Sequence, residues 1–120
     1  MSDLSPLAKL KSLKELDLRH TQVSDLSPLA ELKNLEHLVL NDTQVSDLSA
    51  LVELNNLRTL YLENTQVRDL SPLAESNLFL LVITGTQVND EHVQTLERTM
   101  TFCRIYDADE DERGNPPNPE

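Results

Sequence analysis

The side chains that could transfer a proton, attack a carbon or ligate a metal are few and scattered: His20, His37, His92 and a single Cys103, among 21 acids. Nucleophilic chemistry needs a thiol or hydroxyl within reach of a base, and a structural zinc site needs clustered Cys and His; neither spacing occurs. With only Gly85 and Gly114, no glycine-rich loop can cradle a phosphate. The acids of "DADEDERGNPPNPE" (residues 107–120) match no calcium-loop spacing with its fixed turn. The sequence therefore predicts no catalytic residue, no metal and no cofactor, and a protein that is not an enzyme.

Charge narrows the partners. The formal net charge is −11, and residues 107–120 contribute six acids against one Arg. Such a balance repels phosphate backbones and anionic lipid, which argues against nucleic-acid and membrane partners. No apolar run approaches the roughly 18 residues of a membrane span, and the start "MSDLSPLAKLKSLKEL" has no leader pattern. One cysteine suits a reducing compartment, so a cytoplasmic location is expected.

What positions these groups is a period. Leu16, Leu38 and Leu60 recur every 22 residues, as do Leu18, Leu40 and Leu62, and Leu26, Leu48 and Leu70. Val23, Val45 and Val67 follow the same step, which shortens to 21 between Val67 and Val88 where "AELKNL" becomes "AESNL". It is then read as 22 again, pairing Leu81 with Cys103 and Ile83 with Ile105, so Cys103 is expected to point inward as a small core residue. In each unit, alternation such as Leu38, Val39, Leu40 predicts a short strand with one buried face. "SDLSPLAEL" predicts a helical or 3₁₀ return, with Ser27 as cap before Pro28. Seven apolar side chains cannot offset the ordering of a 22-residue coil, so each must stack on a neighbour.

The pattern LxxLxxLxLxxTxVxxLxxL over residues 2–106 resembles the leucine-rich repeat family, in its 22-residue, bacterial internalin-like class. That resemblance implies an α/β solenoid: a right-handed superhelix with a short parallel sheet on its concave face and 3₁₀ or short-helix returns on its convex face. It also implies a protein-binding scaffold. The chain departs from the family in carrying Thr21, Thr43, Thr65 and Thr86 where Asn is usual, which predicts a simpler hydroxyl ladder. Gln22, Gln44, Gln66 and Gln87 are expected to form an outer amide column.

The two ends differ. "VNDEHVQTLERTM" predicts a longer helix capped by Asn89 or Asp90, with Val93, Leu96 and Met100 on one face; with the strand "FCRIY" it makes a C-terminal cap over 89–106. Residues 107–120, acidic and proline-rich, are expected to be a disordered tail, leaving 1–106 as the repeat domain. At the other end Leu16, Leu18 and their strand edge have no preceding cover. The chain is then a piece of a longer protein, or the edge serves self-association, or Lys9, Lys11 and Lys14 discourage pairing.

Strand positions flanking the buried leucines point into the concave face. The expected columns are Glu15, His37, Thr59, Leu80 and Phe102; then Asp17, Val39, Tyr61, Val82 and Arg104; then Arg19, Asn41, Glu63, Thr84 and Tyr106. Tyr61, Leu80, Val82, Phe102, Arg104 and Tyr106, with Val39 and His37, are the expected contacts for a protein or peptide partner, since aromatics beside Arg are usual interface anchors. The alternatives are that Phe102 and Tyr106 fold down to seal the last strand or are covered by the tail, or that the solenoid is a structural element associating through its N-terminal edge. His20 and His37 could approach one another or Asp17 but without a pocket are expected to be solvated.

Overall fold

The structure, a computed structural model, describes residues 3–74, 76–100 and 103–106. Five three-residue strands form one parallel sheet in chain order: β1 (Glu15–Asp17), β2 (His37–Val39), β3 (Thr59–Tyr61), β4 (Leu80–Val82) and β5 (Arg104–Tyr106). Neighbouring strands are joined by 3₁₀ turns at Ser27–Glu31, Ser49–Leu51 and Ser71–Leu73, and a fourth such turn, Ser5–Lys9, precedes β1. The last return is instead a ten-residue helix, α1 (Asp90–Thr99). This is the α/β solenoid the period predicts. Leu38, Leu40, Val45, Leu60, Leu62 and Val67 are fully buried in one continuous aliphatic core.

Each return starts the same way, though not with the expected cap. Leu26 precedes the helical turn and its side chain caps nothing. The Asp25 carboxylate instead accepts from the backbone N–H of Ser27, two residues on, at 2.9 Å. Asp3, Asp47 and Asp69 do the same for Ser5, Ser49 and Ser71. A carboxylate accepting such donors is favoured in its charged form.

The threonines form no ladder between coils. Thr21, Thr43, Thr65 and Thr86 each donate to the carbonyl three residues earlier, those of Leu18, Leu40, Leu62 and Ile83. The hydroxyl thus closes its own turn. Asparagine side chains link the coils instead: Asn34 donates to the Lys11 carbonyl, Asn56 to Lys33 and Asn77 to Asn55, at 2.9–3.0 Å. The residue before each Thr adopts a left-handed conformation: His20, Asp42, Asn64 and Gly85, with φ of 60°, 60°, 57° and 77°. At the last, a Cβ would clash with the Asn64 amide oxygen, so any residue but glycine would force that side chain to move.

The final coil departs from the expected register. Leu81 pairs with Ile105 and not with Cys103, while Leu80 pairs with Arg104 and Val82 with Tyr106. The return through α1 is two residues longer than the 22-residue step allowed. Because side chains alternate with a period of two, the slip keeps Ile105 on the core side and moves the outward residues along by one column. At the other end Leu4 and Leu18 are buried and Leu7, Leu13 and Leu16 pack partly buried against the core, while Leu10 is exposed.

Candidate concave-face site

The sheet register defines what shares the concave face. The first column is Glu15, His37, Thr59, Leu80 and Arg104; the second is Asp17, Val39, Tyr61, Val82 and Tyr106. Arg104 therefore stands beside Leu80, and Tyr106 two strands from Tyr61 with Val82 between them. Val82, expected on the open face, is 5% exposed. Its two column neighbours are tyrosines, whose rings are large enough to cover an isopropyl group across strands about 4.8 Å apart. Tyr61, Leu80 and Tyr106 remain half-exposed and Arg104 exposed. Arg104 reaches the Tyr106 hydroxyl at 3.3 Å. Phe102 lies outside the described residues, as do residues 107–120.

The N-terminal half of the face is polar and internally bonded. His37 Nδ1 is 2.7 Å from the Thr59 hydroxyl. Asn41 donates to the Glu63 carboxylate at 3.0 Å and accepts from the Glu63 N–H at 2.9 Å. Arg19 donates to both oxygens of Asp17, and this contact, through the side chain first and the backbone N–H of Arg19 second, holds the Asp17 carboxyl below the usual carboxylate range. A cavity of about 350 Å³ opens here between Glu15, Leu16, Asp17, His37 and Val39. Val39 is half-buried at its rim.

The histidines are each engaged elsewhere than with one another. His20 faces Asp42 at 3.1 Å, in a line continued by Asn64 donating to Asp42. His92, on α1, accepts from the backbone N–H of Leu70 through Nε2 at 2.8 Å. That places the ring proton on Nδ1 and makes His92 a structural bond between the last coil and the one before. Cys103 lies just before β5, half-buried, and burial pushes its thiol up to about 11, so it stays protonated and weakly nucleophilic. Among the described residues no group of His, Cys, Asp or Glu could hold a metal ion, and no helix is long and apolar enough to cross a membrane.

One exposed aromatic escaped the column reading. Phe79 is 59% exposed, with the Arg58 guanidinium 5.4 Å from its ring centre. The pair borders a cavity of about 440 Å³ whose walls include Leu78, Met100 and Cys103. A signal was present: Phe79 occupies the position before the strand that Lys14, Glu36 and Arg58 hold in the other coils.

Comparison with known proteins agrees with this geometry. A family model for leucine-rich repeats in two copies matches residues 33–75. The fold is similar to that of internalin C2 from Listeria monocytogenes, at 33% identity and a TM-score of 0.81, over 88% of this chain and 46% of that one. It is also similar to a leucine-rich repeat protein of Leptospira interrogans, at 24% identity and a TM-score of 0.76, over 83% of this chain and 26% of that one. The chain thus spans about half the length of the internalin and a quarter of the Leptospira protein. No curated protein matches it in sequence.

Proposed function

The chain belongs to the leucine-rich repeat family, in its bacterial internalin-like class, and from that premise we propose that its concave face binds an extended polypeptide without catalysis. Leucine-rich repeat domains commonly act as protein-interaction modules. The observation that carries the reading is the asymmetry of the face. The polar N-terminal half is cross-linked by His37 to Thr59 and by Asn41 to Glu63, whereas the C-terminal half presents Tyr61, Leu80 and Tyr106 half-exposed beside Arg104. Half-exposed tyrosines beside an arginine provide apolar area and directed donors together, the combination found at interface anchors. Val39 and His37 border this patch, and Val82 supports it from beneath.

The face is small. Five strands spaced about 4.8 Å apart span roughly 19 Å, so the site buries less than the roughly 800 Å² per partner of a standard interface. A modular, weak interaction follows. We propose the cytoplasm as the compartment of this role, on the ground that a single cysteine suits a reducing environment.

Selection of peptides from a displayed random library, followed by titration, tests the proposal. Tyr61→Ala with Tyr106→Ala should raise the Kd of selected peptides at least about tenfold, while Val52→Ala, on the exposed convex side, leaves it unchanged. Selected peptides that bind the double variant as tightly as the parent protein would overturn the concave-face assignment.

A further inference from the structure

The two edges of the sheet are complementary to each other. In β1 the residues turned toward β2 are Lys14, whose carbonyl accepts from the N–H groups of Glu36 and His37, and Leu18, whose N–H donates to Val39. By alternation the main-chain groups of Glu15 and Asp17 point to the other side, where β1 has no neighbour among the described residues. In β5, the N–H of Arg104 donates to Phe79 and the carbonyl of Tyr106 accepts from Ile83, so the main-chain groups of Ile105 point outward from the last strand. Inside the stack, the central residue of each strand bonds the two flanking residues of the next. Ile105 at one end, with Glu15 and Asp17 at the other, are the halves of one more such junction.

The side chains fit the same register. A second copy's β1 set beside β5 continues the first column with Glu15 next to Arg104, two exposed and oppositely charged groups. It continues the core column with Leu16 next to Ile105, both half-exposed where they stand. It brings Asp17 next to the Tyr106 hydroxyl. The flanking charge agrees: residues 1–19 carry four bases against three acids, and residues 89–120 carry nine acids against three bases. We infer that the chain associates head to tail with a second copy of itself, the outer edge of β1 in one copy adding to the outer edge of β5 in the next, each without a neighbouring strand among the described residues. The contact joins two different surfaces, so a dimer leaves one of each unfilled and every copy added extends the concave sheet by five strands.

Sedimentation velocity at low salt, from about 1 µM to about 1 mM, tests this on the whole chain. The expected result is concentration-dependent growth beyond a dimer. Glu15→Arg and Arg104→Glu should each raise the dissociation constant at least about tenfold, and the two combined in one chain should restore it, since each junction then pairs the reversed charges. Glu15→Pro removes an N–H that points away from β2, so it should block association while circular dichroism stays that of the parent. Three results would overturn the inference: a monomer at every concentration, association that stops at a dimer and ignores Arg104→Glu, or a double charge reversal that fails to restore assembly. Tyr61→Ala leaves both edges intact, so loss of peptide binding and loss of assembly are read separately.

Discussion

The inner coils and the last coil return the chain to the sheet by different means. Between β1 and β4 the return is a 3₁₀ turn, opened by an aspartate bonded to a serine and tied sideways by an asparagine amide on the preceding coil's carbonyl. Between β4 and β5 it is α1, opened by Asn89, whose side chain accepts from the N–H of His92. The sideways tie there is the imidazole of His92 on Leu70. Inner coils are held on both sides by copies of themselves, so their register follows from the repeat. Among the described residues the last coil packs on one neighbour, and Val93, Leu96 and Met100 are buried against it. Periodicity therefore governs the coils that have two neighbours, and capping chemistry governs the one that does not.

Core truncation should expose that contrast most. Leu60→Ala removes a fully buried side chain held between two coils, where surrounding atoms cannot collapse into the space. The expected loss is about 3 kcal/mol. Leu96→Ala removes the same hydrocarbon from α1, which can shift toward the gap, and should cost about 2 kcal/mol or less. Urea midpoints measure both. If Leu96→Ala proved the more damaging, α1 would be the keystone of the stack and not a cover for it.

The tie between the two regions comes next in size. His92→Ala leaves the buried N–H of Leu70 without its acceptor and should cost about 1–2 kcal/mol. His92→Gln keeps an acceptor at similar reach and should recover most of that loss. Equal stability of the alanine and glutamine variants would mean that water replaces the imidazole and that the last coil is joined by packing alone.

What the sequence revealed divides along the same line. The seven apolar positions per unit were legible because a solenoid repeats its core, and Leu38, Leu40 and Val45 are buried accordingly. The last register was not, because "FCRIY" places apolar residues at both 103 and 105, and a two-residue slip preserves inside-outside alternation. The length of the return decides between them, and a helix consumes more residues than a 3₁₀ turn over a comparable span. The slip also explains Val82. With Arg104 as its neighbour it would have been open; with Tyr106 it is covered. The threonine and serine readings erred in the other direction, assigning between coils or to the serine what short-range bonding settles inside one turn. The asparagines at 34, 56 and 77 recur near the repeat step but were not singled out from the sequence, because which carbonyl each amide meets depends on how far one coil is offset from the next.

The smallest effect should separate the regions by pH. Side-chain and then backbone hydrogen bonds from Ser27 and Ser71 hold the carboxyls of Asp25 and Asp69 below the ordinary carboxylate value, and at Asp3 and Asp47 the backbone bond of Ser5 and Ser49 acts first. A carboxyl whose pKa is lower in the folded chain contributes stability that is complete above its unfolded value of about 3.9 and is lost as pH falls through the folded one. Stability should thus be flat with respect to these groups near neutrality and fall below about pH 4. Asn89 caps α1 without a charge and adds nothing to that slope. Replacing Asp25, Asp47 and Asp69 together by Asn, which keeps an acceptor, should flatten the acid limb of a urea-midpoint against pH curve; Asn89→Ala should lower the whole curve and leave its slope alone. An unchanged acid limb in the triple variant would mean that these exposed carboxylates are too well screened to matter, leaving the 3₁₀ turns fixed by packing, with Pro28 and Pro72 assisting two of the three.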